Sequence, residues 1–201
     1  MNNPTDNLKY YNDHAASFAK DTAMVDFSQI RNRFIRKLNP GAAILDFGCG
    51  SGRDTKTFLQ LGFHVTAVDG SEKLCQLASE YTGIPVRKML FHELDETETF
   101  DGVWACASIL HVPGISLPDI LKRMSRAVKT DGVIYVSFKY GTFEGERDGR
   151  YFTDLTENTF AELIREIKEL RIEEAWTSTD VRPGREEQKW LNIILRKTDI
   201  N

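Results

Sequence analysis

Cysteine is scarce in this chain. Cys49, Cys75 and Cys106 are the only three in 201 residues, and no two form a CxxC pair. An odd count without metal-ligand spacing excludes a disulfide framework and a structural zinc site. The four histidines, His14, His64, His92 and His111, are equally scattered, so no metal is expected. Long apolar runs are missing too, and Met1-Asn2-Asn3-Pro4-Thr5-Asp6 has neither the basic segment nor the apolar core of a secretory leader. Those absences give the expectation of a cytoplasmic chain without a membrane partner. Positive charge is not in excess: 26 Lys and Arg against 30 Asp and Glu leave a formal net charge of -4. No global field exists to hold a long phosphate backbone, so nucleic acid is not the expected partner. Oligomeric state leaves no mark in the sequence.

What is present suits a single globular domain, with 41% hydrophobic and 28% charged residues. Residues 7–38 read as helical, with Leu8, Tyr10, Tyr11, Phe18, Phe27, Ile30, Phe34, Ile35 and Leu38 at mixed three- and four-residue spacings. Asn39-Pro40-Gly41 stops that region. Strands then fit 42–47, 64–68, 85–89, 102–107 and 132–138, and helices fit 53–60, 72–81 and 117–128. This strand–helix rhythm implies parallel strands joined by right-handed crossovers, hence an open doubly wound α/β sheet. The link from 85 to 100 predicts no helix, and 140–150 reads as a polar, glycine-rich loop. A helix over 157–170 precedes strands at 172–178 and 189–195, whose joining loop is too short for a crossover. The last two strands should therefore be antiparallel neighbours. The expected division is a helical cap over 1–38, a ligand-binding core over 40–140 and a substrate-side part over 141–201.

In such a sheet, ligands bind beyond the carboxyl ends of the strands, where strand order reverses. The first strand runs into Gly48-Cys49-Gly50-Ser51-Gly52, whose glycines allow positive φ and close approach of a ligand to the backbone. The following helix offers free N–H groups to polar or anionic atoms. The second strand ends at Asp69, where a carboxylate can accept hydrogen bonds from both hydroxyls of a ribose. A dinucleotide fingerprint would put its third glycine where Arg53 stands. Asp46, two residues before the turn, suits a cationic ligand group better than a pyrophosphate.

The segment Ile44-Leu45-Asp46-Phe47-Gly48-Cys49-Gly50-Ser51-Gly52-Arg53-Asp54 resembles the first motif of class I S-adenosylmethionine-dependent methyltransferases. Ala67-Val68-Asp69-Gly70-Ser71 is similar to their acidic second motif, and 100–112 and 129–138 to their fourth- and fifth-strand motifs. Among these, small stand-alone bacterial enzymes of the tellurite-resistance type are the nearest in character. The resemblance implies a Rossmann-like, seven-stranded, mostly parallel sheet with an antiparallel last strand plus N-terminal helices. It implies S-adenosyl-L-methionine as cofactor and S-adenosyl-L-homocysteine as product. Asp46, Gly48, Cys49, Gly50 and Gly52 would then meet the methionine end, and Asp69 and Gly70 the ribose. Ala107 would line the same cofactor beyond the fourth strand. Many members carry an acid after the third strand that bonds the adenine amine. Lys88-Met89-Leu90-Phe91-His92 has none there, which leaves adenine to backbone and apolar contacts at Leu90 and Phe91.

Methyl transfer needs alignment and exclusion of water, and a base only if the acceptor must lose a proton. His111, just past the fourth strand, is the candidate catalytic base; a packing histidine is the plainer alternative. No Pro-Cys nucleophile and no Asn/Asp-Pro-Pro-aromatic motif occurs, and Cys106 reads as a packing residue. Adjacent tyrosines on a helix diverge, so at most one of Tyr10 and Tyr11 should face the site, and Tyr11 is the candidate. Lys139, Tyr140 and Arg150 after the fifth strand, with Arg182 and Arg185 before the last, suit a carboxylate or phosphate. Pairing with nearby carboxylates is the alternative for each arginine. The leading expectation is methylation of a small metabolite, anionic where the arginines meet it, or of a chalcogen compound. A methyltransferase acting on RNA or protein and a non-catalytic cofactor-binding module stay open.

Overall fold

Strands that are apolar on both faces have to be covered on both, and the chain supplies helices for each. The computed structural model describes residues 5–182 and 184–199; most of the segment read above for a secretory leader lies outside them. Three short helices come first, α1 (Thr5–Asp13), α2 (Ala15–Thr22) and α3 (Ser28–Ile35). The alternating part follows as β1 (Ala43–Phe47), α4 (Arg53–Gln60), β2 (His64–Asp69), α5 (Glu72–Thr82), β3 (Val86–Lys88), β4 (Phe100–Ala105), α6 (Leu117–Ala127) and β5 (Val128–Lys139). A hairpin, β6 (Glu144–Arg147) and β7 (Arg150–Thr153), precedes α7 (Glu157–Ile164), β8 (Leu170–Thr179) and β9 (Lys189–Lys197).

The main sheet has seven strands in the order β3-β2-β1-β4-β5-β9-β8. The first five are parallel, and β9 runs antiparallel to both β5 and β8. This is the expected doubly wound sheet with its reversed last strand. Successive side chains along a strand take opposite faces, and the core divides accordingly. Leu45, Phe47, Val103, Ala105, Ile134 and Val136 pack with α6 and α7, whereas Ile44, Trp104, Val133 and Tyr135 pack with α3 and α4. The chain winds outward from β1 to β3 and then returns to β4, so a crevice opens at the carboxyl ends of β1 and β4.

Several boundaries differ from the sequence reading: the stretch 7–38 is three helices, and the strands read at 102–107 and 132–138 are Phe100–Ala105 and Val128–Lys139. The stretch 140–150 is not a plain loop: Asp148 and Gly149, at φ 53° and 72°, form the two-residue turn of the β6–β7 hairpin. The helix expected over 157–170 ends at Ile164. A 3-10 turn, Phe91–Glu93, occupies the link where no helix was expected. No helix among the described residues is long and apolar enough to cross a membrane.

A buried carboxylate fastens the amino-terminal helices to this frame. Asp54, on the first turn of α4, receives Arg31 Nη1 from α3 at 2.8 Å, Arg53 Nη2 at 2.6 Å and Trp104 Nε1 from β4 at 3.1 Å. Arg31 and Arg53 hold the Asp54 carboxyl below the usual range despite its burial. Removing one partner of a buried ion pair strands the other charge. Asp54→Ala should therefore destabilise the fold by about 3–5 kcal/mol, read as a lower urea midpoint with an unchanged denaturant slope.

Candidate active site

The turn after β1 is shaped by close backbone contacts. The amides of Gly48 and Cys49 both donate to the Val68 carbonyl, each at 2.9 Å, which folds the turn back over the end of β2. Gly48 has φ 85°, and a Cβ there would stand 2.5 Å from Ser108 Cβ. Ser108 is itself fixed by donating to the Phe47 carbonyl at 2.7 Å. A side chain at 48 is excluded both by conformation and by space.

Asp69 closes the turn from the other side. Its Oδ2 accepts from Gly50 N at 2.9 Å and its Oδ1 from Ser71 N at 2.8 Å. Two backbone donors orient the carboxylate and leave further lone pairs facing the cavity. The helix α1 lies along this edge: Asn12 accepts from Ser71 Oγ at 2.8 Å, and a Cβ on Gly70 would meet Leu8 Cδ2 at 2.6 Å.

Asp46 is 2% exposed and receives the Thr55 hydroxyl at 2.5 Å. Burial, with the nearby Asp54 charge, pushes its carboxyl up to about 7. Arg53 is the neighbouring cation, but its guanidinium bonds Asp54. A buried carboxylate with one hydroxyl donor and no cation of its own fits a ligand ammonium group. With Asp69 at ribose height and a glycine cradle between them, these residues fit S-adenosylmethionine. Asp46 would hold the amino-acid end, the turn amides the carboxylate, and Asp69 the ribose hydroxyls.

All of the sequence-derived site residues except Gly52 line one cavity of about 1110 Å³. Gly52 lies next to that lining: it enters α4 at φ 77°, and a Cβ there would meet Thr82 and Ala78 of α5. Leu90 and Phe91 also line the cavity, and Phe91 stacks edge-on against Phe47 with centroids 4.9 Å apart. Glu93 folds back to accept from Leu90 N at 2.7 Å, which fixes this segment. Cys49 is held as a thiol, its pKa pushed well up by burial and then by Asp46 and Asp69. Ala107 adopts φ 50°, an uncommon conformation for a residue with a Cβ, and its amide donates to Ser137 Oγ at 2.8 Å.

Opposite the turn, the tyrosine pair divides as the helix geometry requires. Tyr11 faces the cavity, while Tyr10 stacks on His14 with centroids 4.3 Å apart. The Tyr11 hydroxyl lies 2.7 Å from His111 Nε2, and His111 Nδ1 lies 2.7 Å from the Tyr151 carbonyl. A carbonyl can only accept, so Nδ1 carries the hydrogen and Nε2 accepts from Tyr11. Burial lowers the His111 pKa to about 4, the Tyr151 bond opposing and the Arg150 charge adding to the fall. Asn7 completes the junction: it accepts from Tyr151 N at 2.7 Å and donates to the carbonyls of Tyr151 and His111.

The cationic residues gather on the remaining wall but are not equivalent. Arg182 is matched by Asp180 through Nε and Nη2, and Arg147 by Asp154 through two 3.0 Å bonds. Lys139 donates to the Gln188 amide and sits over the Trp190 ring, its pKa lowered by burial. Tyr140 stands at the rim, 40% exposed, and Arg185 is exposed beside it on the cavity mouth. Several lining residues escaped the sequence reading: Phe18, Phe27, Arg53, Ser137, Trp190 and Asn192. Ser137 and Asn192 did leave a signal, as polar residues inside the apolar runs of β5 and β9, where they pair in register. Among the described residues, no group of three or more His, Cys, Asp or Glu is placed to hold a metal.

A crevice at a strand-order reversal, with a glycine turn and a strand-terminal acid, defines a nucleoside-binding α/β protein of the methyltransferase type. Comparison with known proteins agrees. Residues 44–132 match the family model described as a methyltransferase domain. The ubiquinone biosynthesis O-methyltransferase of Paramagnetospirillum magneticum is 36% identical over 81 residues, 38% of this chain and 32% of that one. The enzyme of the same name from Caulobacter vibrioides is 29% identical over 139 residues, 65% of this chain and 53% of that one. The chain thus spans about half or less of the length of these curated relatives. The crystal structure of Burkholderia thailandensis 1,6-didemethyltoxoflavin-N1-methyltransferase, bound to 1,6-didemethyltoxoflavin and S-adenosylhomocysteine, superposes with a TM-score of 0.75 at 27% identity. That match covers 98% of this chain and 87% of that one. Over residues 44–132 the chain is similar to S-adenosylmethionine-dependent methyltransferase domains, and the glycine turn and its two acids fit that cofactor.

His111 offers a direct test of the site's polarity. In the folded chain it stays neutral down to about pH 4, whereas an unperturbed imidazole takes a proton near 6.5. The unfolded chain binds the extra proton between those values, so this contribution to stability is present above 6.5 and lost as pH falls towards 4. Long-range proton–nitrogen NMR at pH 6 should find the His111 ring neutral with hydrogen on Nδ1. A charged ring at that pH would contradict the geometry.

Proposed function

We propose that the protein transfers a methyl group from S-adenosylmethionine to a small metabolite bound in the same cavity. The observation that carries this reading is the division of one cavity into an acidic end, Asp46 and Asp69, and a cationic and aromatic wall opposite. The acidic end fits a cofactor bearing positive charge, and the wall is left for an acceptor. A volume of about 1110 Å³ exceeds a usual single-ligand pocket of roughly 300–1,000 Å³ and leaves room for both. The walling of the cavity by α1, the β6–β7 hairpin and the loop before β9 favours a small molecule over RNA or protein, and the bound heterocycle of the Burkholderia thailandensis neighbour points the same way. Its aromatic lining favours an organic acceptor over a bare chalcogen oxyanion.

The bound cofactor supplies an electrophilic methyl on a sulfonium. The protein's own residues then bind, orient and exclude water. Tyr11 presents its hydroxyl from α1, and His111, held neutral through Tyr151, accepts that hydroxyl's hydrogen. In this reading His111 is a positioning residue for Tyr11, because its Nε2 lone pair is already engaged. The amino-terminal helices act as the cap, the β1–β5 part binds the cofactor, and the segment after β5 meets the acceptor.

Calorimetric titration with S-adenosylhomocysteine should show saturable binding that Asp69→Ala abolishes. Radiolabelled S-adenosylmethionine in cell extract should label a low-molecular-weight species, and Tyr11→Phe should slow labelling with little change in cofactor affinity. Absence of S-adenosylhomocysteine binding would sink the reading. Label confined to RNA or protein would move it to a polymer substrate.

A further inference from the structure

The cations on the acceptor wall differ in what answers their charge. Arg147 and Arg150 stand opposite each other across the hairpin, in register. Arg147 is neutralised by a two-bond pair with Asp154. Arg150 has no carboxylate within ion-pair distance among the described residues, and its buried Nε has no hydrogen-bond partner. Its guanidinium lies over the Tyr10 ring at 4.6 Å and the Phe152 ring at 5.2 Å. Aromatic faces fix the plane of a guanidinium and offset part of its desolvation, but they do not fill its in-plane donors, which here have the Tyr11 hydroxyl in reach and Nε unpartnered. A fixed, partly buried cation lining a cavity is thus ready for a planar anion.

The groups around Arg150 point the same way. The positive charge of Arg150 bears on both Tyr11 and His111, opposing the rise that burial gives Tyr11. Lys139 adds a second cation that forms no ion pair among the described residues; its amino group donates to the Gln188 amide, with the Asp180 charge farther off. At the same time the histidine beside the acceptor wall has no lone pair free. Nδ1–H is spent on the Tyr151 carbonyl and Nε2 on Tyr11. Surplus positive charge and an engaged histidine describe a site for an acceptor that has already lost its proton.

We infer that the acceptor is a small conjugated organic acid, bound in its ionised form with its anionic group on Arg150 beside the Tyr11–His111 pair. The inference rests on the methyltransferase reading and deepens it. In the transfer, the anionic acceptor's electron pair forms the new bond to the methyl carbon, and the pair of the broken carbon–sulfur bond stays on sulfur. The acceptor's negative charge and the sulfonium's positive charge cancel, and no proton has to be placed. The role of Arg150 is binding and specificity: it discriminates an ionised acid from its uncharged isostere.

The test uses the whole chain saturated with S-adenosylhomocysteine and titrated calorimetrically with benzoate and salicylate, then with benzamide and salicylamide. The two anions should bind and the two amides should not. Arg150→Gln should weaken anion binding by about tenfold or more with S-adenosylhomocysteine affinity retained, which also shows that the variant folds. Arg150→Lys should recover part of the loss. Equal binding of anions and amides, anion binding unchanged in Arg150→Gln, or no binding of either anion would each overturn the inference. If the wild-type chain fails to bind S-adenosylhomocysteine, it is the methyltransferase reading that falls instead.

Discussion

The carboxylate of Asp54 is the constraint on which the rest depends. It sits where α3, α4 and β4 meet, and it takes the donors of Arg31, Arg53 and Trp104 together. Without it, α3 would keep only the outlying 3.7 Å pair of Arg33 with Glu174 of β8 as a polar tie to the sheet. Its second effect is electrostatic. By claiming both arginines, Asp54 leaves Asp46 buried beside a like charge and without a cation. A carboxylate in that state is costly to the empty fold and is relieved by a cationic ligand. Fold stability and ligand selectivity at the glycine turn therefore share one source.

The division of charge across the cavity follows from topology. Asp46, next to last in β1, and Asp69, last in β2, lie at the carboxyl ends of neighbouring parallel strands, which open on the crevice. Apart from Lys139, which ends β5 opposite Trp190, the cations come from the segments after β5 and before β9, outside the main sheet. The same sheet edge can thus hold a positive cofactor on strand ends and a negative acceptor on loops. Attraction between the two bound molecules would add to alignment, since a water-poor cavity strengthens interaction between unlike charges.

The strand–helix alternation, the reversed last strand and the glycine turn were legible because backbone constraints impose them on nearby residues. Gly48 has to be glycine, and Asp69 has to end a strand that pairs with β1. Gly52 has a packing reason that the motif does not show, since a side chain there would meet Thr82 and Ala78 of α5. The β6–β7 hairpin was missed although Asp148-Gly149 is a strong two-residue turn signal. Its flanks, Glu144-Gly145-Glu146-Arg147 and Arg150-Tyr151-Phe152-Thr153, lack the alternation that marks a half-buried strand. The far wall of the cavity was the least legible part. Phe18 of α2 comes to the same cavity as Trp190 and Asn192 of β9 only in three dimensions, and sequence spacing carries no trace of that.

The junction of Asn7, His111 and Tyr151 joins the two halves of the site. Asn7 belongs to the helix that packs on Gly70 at the ribose edge, and Tyr151 to the hairpin that carries Arg147 and Arg150. His111 lies in the segment that follows β4. Each of the three segments uses another's backbone to satisfy its own polar side chain or amide, so none can shift alone without leaving a buried group unpaired. The consequence is a coupling in which α1, once seated against the cofactor edge, also sets the position of Tyr11 over the acceptor. A single helix, fixed at both ends by side-chain hydrogen bonds, thereby makes the geometry of the acceptor side depend on the state of the cofactor side.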